Sequence, residues 1–275
     1  MKLKGIDVSE HQGTIDWSKV KSHIDFAIIR AGYGKNNIDR FAKLNVMRCA
    51  GLGIPFGIYW FSYAYTEDMA IKEADYCIDF VQTCYKEISA FPTYPICFDF
   101  EYDSYNYALK KGVKLSSEQC VNIAKAFLNR VEERGFYAMN YSNLDYLNNH
   151  GFSSLLEKYD LWYARWGLST PDKNCGIWQD SSTGFIDGIN GKVDTDIAYK
   201  DYPTIINKLS EEKGTKKSSQ KSEAEIEKWM KERIAVAYDV IAGKYGNGTA
   251  RINNLSDIGE NPDFIQHIVN TILGY

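Results

Sequence analysis

From residue 5 to about residue 203, short apolar β-rich runs alternate with helical patterns, and this alternation restricts the fold more than any other feature of the chain. The runs are residues 5–8, 26–31, 54–63, 94–101, 136–141, 161–166 and 176–179. Helical patterns at 39–50, 67–88 and 117–134 lie between several of them. The last opens on a Ser-Ser-Glu-Gln capping signal and stops at Gly135. Strands joined through helices run parallel, because a parallel pair needs a long crossover. About eight strands in about 200 residues suit a closed, irregular TIM-like (β/α) barrel, so the fold class expected is α/β. In such barrels function sits at the C-terminal ends of the strands. Asp7 ends the first run, and Asp99 and Glu101 end the fourth.

The barrel is assigned to residues 1–207. Residues 208–222 are polar and almost free of apolar side chains, so they read as a linker that cannot bury enough surface to fold alone. Residues 223–275 read as a small all-α domain of three helices. The first runs over 223–241, with Ile226, Trp229, Met230, Ile234, Tyr238 and Ile241 at helical spacing. A glycine-rich turn at 243–248 follows, and Asn261-Pro262 opens the last helix.

Composition narrows the function. With 44% apolar and 25% charged residues the chain is globular, and a net charge of −4 gives no general attraction to nucleic acid or anionic membranes. Nothing approaches the roughly 18 consecutive apolar residues of a membrane span. The N-terminal residues lack the apolar core of an export signal, so synthesis in the cytoplasm is expected. The six cysteines form no C-x-x-C pair and have no histidine at zinc-ligand spacing. They read as buried, reduced thiols, and neither a metal nor a cofactor is expected. The 20 Tyr, 13 Phe and 6 Trp offer either a large core or flat faces on which sugar rings stack.

Asp99-Phe100-Glu101 carries the chemistry. Side chains at i and i+2 on a strand share a face, so the two carboxylates sit side by side at the end of an apolar run. Mutual repulsion and desolvation keep a proton on at least one of them to unusually high pH. That is how a carboxyl group works as an acid near neutrality.

Seven blocks in order resemble the family 25 glycoside hydrolases, the N-acetylmuramidases of phages and bacteria. They are Gly-Ile-Asp-Val-Ser-Glu-His-Gln-Gly (5–13), Phe-Ala-Ile-Ile-Arg-Ala-Gly (26–32), Gly-Ile-Tyr-Trp-Phe-Ser-Tyr (57–63), Pro-Ile-Cys-Phe-Asp-Phe-Glu (95–101), Leu-Trp-Tyr-Ala-Arg-Trp (161–166), Ile-Trp-Gln (177–179) and Val-Asp-Thr-Asp (193–196). The tail, at 240–251, is similar to a short three-helix wall-binding repeat of phage endolysins, present here in one copy. The resemblance implies hydrolysis of the β-1,4 bond between N-acetylmuramic acid and N-acetylglucosamine in bacterial cell-wall peptidoglycan, for host lysis after release from the cytoplasm. It implies Glu101 as general acid/base. Asp99 would assist at the anomeric carbon, through the substrate's N-acetyl group or as a covalent nucleophile. Asp7 and Asp194 would complete the acidic set, although Asp196 competes with Asp194 for that place.

Tyr59, Tyr63, Tyr141, Trp162 and Trp178 end expected strands and are candidate sugar platforms, against core packing as the alternative. Arg30 is expected to tether a carboxylate or to fill the inner ring, and His11 to bond within its turn. The basic residues at 213–221 read as a solvated linker or a contact to anionic wall. Self-association of the tail is also expected, because Ile226, Trp229, Met230, Ile234, Ile265, Val269 and Ile272 look like more than three short helices can hide. A chitinase-like barrel would show a longer acidic run before Asp99, and a non-catalytic binder would have lost one of the four acids.

Overall fold

The computed structural model describes residues 2–212 and 223–273. The chain forms two compact units, Met1–Gln220 and Lys221–Tyr275.

The first unit contains the strands β1 (Leu3–Val8), β2 (Phe26–Tyr33), β3 (Asn37–Ile38), β4 (Phe56–Phe61), β5 (Ile96–Asp99), β6 (Ala138–Asn143), β7 (Asp160–Ala164), β8 (Ile177–Gly184) and β9 (Val193–Ala198). Each barrel strand pairs with the next, and β1 pairs with both β2 and β9, which closes the ring. The short β3 hangs on the edge of β2, so eight of the described strands make an α/β barrel. β1, β2 and β4 to β8 run parallel. β9 is antiparallel to both of its neighbours.

Helices α1 (Trp17–Val20), α2 (Ala42–Leu52), α3 (Glu67–Ile88), α4 (Tyr102–Lys110), α5 (Ser117–Glu133), α6 (Leu144–Asn149) and α7 (Tyr202–Glu212) complete the unit. The α5 cap forms as its sequence predicts. Ser116 N–H donates to Gln119 Oε1 at 2.8 Å, and Gln119 N–H donates back to Ser116 Oγ at 3.2 Å. Phe26, Ile28, Tyr59, Cys97, Met139, Tyr141, Trp162, Ile177 and Ala198 fill the lumen. The space is tight. A Cβ on Gly5 would lie 2.3 Å from the Phe26 ring, so only glycine lets β1 pass this close. The lower end is plugged by α7, whose Tyr202 hydroxyl donates to Asp160 Oδ2 at 2.9 Å alongside that of Tyr137, also at 2.9 Å.

Two parts of the chain differ from the sequence expectation. β9 escaped notice because its lumen side carries Asp194 and Asp196 instead of apolar residues. Helix α7 runs to Glu212, five residues into the stretch read as linker. Leu209 follows the buried Ile206 at helical spacing, and Ser210 Oγ bonds back to the Ile206 carbonyl at 2.9 Å. Residues 213–222, the rest of that stretch with its basic cluster, lie outside the described residues.

The second unit has the three helices expected, α8 (Glu223–Ile241), α9 (Gly248–Asp257) and α10 (Pro262–Leu273). Of the apolar residues expected to offer a partner surface, four are buried and three half-buried, while Tyr238, Ile241, Ile252, Ile258 and Leu273 stay exposed. Ile226, Met230, Ile265 and Val269 are buried and Trp229, Ile234 and Ile272 half-buried. Trp229 packs on Phe264 with ring centroids 5.6 Å apart, and the Arg233 guanidinium covers its other side at 4.2 Å while pairing with Glu260 at 3.0 Å. Long amphipathic side chains therefore hide area that a count of apolar residues leaves exposed.

Candidate active site

Because β9 runs against the other strands, its first residues lie where theirs end. Asp194 consequently sits directly across from Asp7 in the β1–β9 pairing, and Asp196 is two residues deeper, opposite Gly5 and Gln179. At the end of β5, the rings of Phe98 and of Phe100 just beyond it stack 6.2 Å apart, and Phe98 also meets Phe127 of α5 on the outer side of the barrel. Asp99 and Glu101 therefore alternate onto the lumen side. Glu101 keeps an extended backbone (φ −125°, ψ −171°) as the residue that caps α4, and its N–H donates to the buried Ser104 Oγ at 3.0 Å.

Burial dominates the electrostatics of this mouth. It raises the Asp99 carboxyl well above its ordinary range, Glu101 adds repulsion, and the Arg30 guanidinium opposes both. Asp99 Oδ1 is buried and meets no hydrogen-bond donor among the described residues. The Glu101 carboxyl is also raised, first by burial and then by the negative charges of Asp103 and Asp194, against a hydrogen bond from Tyr141 that favours the anion. Burial pushes Asp194 up to about 6 and Asp196 up to about 8. Asp7 is raised strongly by burial and by both of these acids. Burial raises Asp7 and Asp196 together, so the pair holds a proton between them.

Gln179 ties the two halves of the mouth together. Its Nε2 donates to Asp7 Oδ2 at 2.8 Å, while its Oε1 lies 3.2 Å from the Tyr141 hydroxyl and 3.3 Å from Trp166 Nε1. The Tyr141 hydroxyl also reaches Glu101, so the acid and Asp7 communicate through one tyrosine and one amide.

Residues 6–189 match the glycosyl hydrolases family 25, and residues 235–273 match the CW_7 repeat. The chain belongs to glycosyl hydrolase family 25. It is 30% identical to Lysozyme M1 of Streptomyces globisporus over 201 residues, covering 70% of this chain and 66% of that protein. It is 27% identical to the lysozyme of Streptococcus phage Cp-7 over 281 residues, covering 97% of this chain and 69% of that one. Among solved structures it is similar to the modular autolysin LytC of Streptococcus pneumoniae in complex with a synthetic peptidoglycan ligand. There the TM-score is 0.62 at 26% identity, over 72% of this chain and 47% of LytC. The chain thus spans about two thirds of the two lysozymes and about half of the autolysin.

The family 25 domain brings Asp7, Asp99, Glu101 and Asp194 to one mouth and treats the other candidates unequally. Trp178 alternates with the lumen-facing Ile177 and Gln179, so it points outward. Only 2% of it is exposed, and its Nε1 donates to the Arg165 carbonyl at 2.7 Å. It offers no face to a ligand. Trp162 is 1% exposed, is crossed edge-on by Tyr59 and Tyr141, and donates to Asp196 Oδ1 at 2.7 Å. Trp162 and Tyr59 are the floor of the site, because both lie in the packed lumen. Tyr141 is buried and acts through its hydroxyl. Arg30 is not free for substrate, since its Nε is held by Asp39 at 2.8 Å and one terminal nitrogen by Glu10 at 3.0 Å. Tyr63 alone among the five aromatic candidates is a half-exposed ring at the rim, packed on Tyr107 at 4.8 Å and Phe61 at 5.2 Å.

Gln179 and Trp166 were not singled out from the sequence, and Asp196 stood there only as the alternative to Asp194. Asp196 shares the parity of Asp194, and Gln179 ends a matched block. Trp166 is 53% exposed and its Nε1 donates to Gln179, so its indole face is open where that of Trp178 is buried. Among the described residues no group of three or more His, Cys, Asp or Glu is arranged to hold a metal ion, and no helix is long and apolar enough to cross a membrane.

Proposed function

We propose that the barrel hydrolyses the β-1,4 bond from N-acetylmuramic acid to N-acetylglucosamine in bacterial peptidoglycan, with Glu101 as general acid/base and Asp99 assisting at the anomeric carbon. The observation that carries this reading is the pair on the lumen face at and just past the end of β5: a carboxyl whose proton affinity burial raises, beside one whose buried oxygen lacks a donor among the described residues. Glu101 gives its proton to the glycosidic oxygen as the bond to the anomeric carbon breaks. Asp99 Oδ1 accepts the N–H of the substrate's acetamido group, which turns that group's carbonyl oxygen toward the anomeric carbon. Attack by this oxygen forms a cyclic intermediate. Water then adds at the anomeric carbon and returns a proton to Glu101. Asp7, Asp194 and Asp196 keep the mouth acidic and sustain the raised proton affinity of Glu101.

The match of residues 235–273 to the CW_7 repeat supports wall attachment by the second unit, where a single copy gives little avidity. The likeness to a phage lysozyme over 97% of the chain supports a role in host lysis, acting on the wall after release from the cytoplasm. Mass spectrometry of digested wall tests the reading. New reducing ends carrying muramic acid are expected, with no new free amines and no lactic acid. Reducing-end N-acetylglucosamine, or no cleavage, would refute it.

A further inference from the structure

Helix α3 buries Ala70, Ala74, Cys77 and Ile78 along one face, and on the same face it buries a carboxylate, Glu73, which is 2% exposed. Placing a carboxylate there is costly unless donors meet it. Two do. Ser62 Oγ donates to Glu73 Oε2 at 2.6 Å, and the Tyr63 N–H donates to Oε1 at 3.0 Å. Ser62 is held in turn from other directions. Its hydroxyl oxygen accepts from Ala64 N–H at 3.2 Å, and its own N–H donates to the Asp99 carbonyl at 2.8 Å. Among the described residues no cation pairs with Glu73, so its partners are the chain segment leaving β4 and nothing else charged. Burial accordingly pushes its carboxyl up to about 7.

That segment carries Tyr63, whose half-exposed ring leans on Phe61 and Tyr107 and meets Tyr33 edge-on at 6.4 Å. Ring packing alone leaves the backbone free to pivot. The Glu73 clamp removes that freedom, because two adjacent residues are hydrogen-bonded to one side chain on a long helix. We propose that Glu73 is a positioning residue for substrate, one that fixes Tyr63 at the barrel mouth as a face on which a sugar ring of the glycan strand stacks. The inference rests on the reading of the barrel as a glycan hydrolase.

The test is steady-state kinetics on soluble peptidoglycan fragments, with reducing ends as the readout. Glu73→Leu should raise KM about five- to tenfold, the scale of one lost aromatic contact, with kcat within about twofold. Glu73→Gln keeps an acceptor for Tyr63 N–H and should restore KM to within about twofold of wild type. In a Tyr63→Ala background Glu73→Leu should add nothing, because the ring through which it acts is gone. If Glu73→Leu does not fold, Ser62→Ala takes its place and should raise KM about twofold, again only when Tyr63 is present. An unchanged KM in the folded variants, or additive effects in the double mutant, overturns the inference while wild-type turnover leaves the enzymatic reading intact. No turnover by the wild type overturns both.

Discussion

Asp196 should make the barrel less stable as pH rises, and Asp196→Asn should remove that dependence. The carboxyl is 2% exposed and is pushed from its ordinary 3.8 up to about 8. A folded-state value above the unfolded one means that the folded protein binds the extra proton. The contribution to stability is therefore complete below pH 3.8 and is lost as pH rises through about 8. Between pH 5 and 8 the unfolded carboxylate is ionised while the folded one stays protonated, a slope of about 1.4 kcal/mol per pH unit. Three such intervals give a ceiling of about 4 kcal/mol. Because Asp196 shares a hydrogen-bonded proton with Asp7, about half of that, roughly 2 kcal/mol, is expected to vanish in the variant. Asparagine still offers Oδ1 to Trp162 Nε1, so the bond now 2.7 Å long survives. Urea unfolding of both proteins at pH 5, 6, 7 and 8, followed by tryptophan fluorescence, measures the difference. Parallel stability curves for wild type and variant would show that Asp196 is ionised in the folded state and would refute the reasoning.

Other outcomes follow from the same mouth and core. Glu101→Gln should lower wall lysis by about 10²- to 10⁴-fold while leaving the melting temperature nearly unchanged, and wild-type lysis by the variant would remove Glu101 as the acid. Asp103→Asn takes away a charge that raises Glu101, so the alkaline limb of the pH–rate profile should move to lower pH. Trp166→Ala should weaken substrate binding with little loss of stability. Trp178→Ala should do the reverse, costing about 3–5 kcal/mol in thermal or urea unfolding. Since the second unit leaves Tyr238, Ile241, Ile252, Ile258 and Leu273 exposed, light scattering on the full chain should report a mass that rises with concentration, and a monomer at every concentration would contradict this.

Much of the barrel was legible because strands covered on both faces are nearly continuous apolar runs, and seven of them stand out between polar helices and turns. What was hidden is where polar residues replaced that signal. β9 alternates acid with other side chains, and α4 buries only Ser104 and Ala108, so neither shows an apolar stripe. Asp99 and Glu101 were legible because period-two geometry within one strand needs no partner. The aromatic residues were not. Whether Trp178 or its neighbour Gln179 faces the lumen depends on register with β7 and β9, which one sequence does not display. Glu73 could have been noticed, lying four residues before Cys77 on a helix face otherwise free of charge.

The reversed final strand also settles where the barrel lets go of its chain. Had β9 run parallel, Ala198 would stand among the acids, and whatever followed would first have to cross the rim. Instead β9 ends beside Leu3 and Ile177, at the starts of their strands, and α7 leaves from the closed end, bolted there through Tyr202 and Asp160. A Cβ at Gly176 would come within 1.8 Å of that tyrosine oxygen, so the exit is machined to a single shape. The strand that brings Asp194 to the acidic mouth thus finishes at the other end of the barrel, and its direction alone fixes where α7 begins.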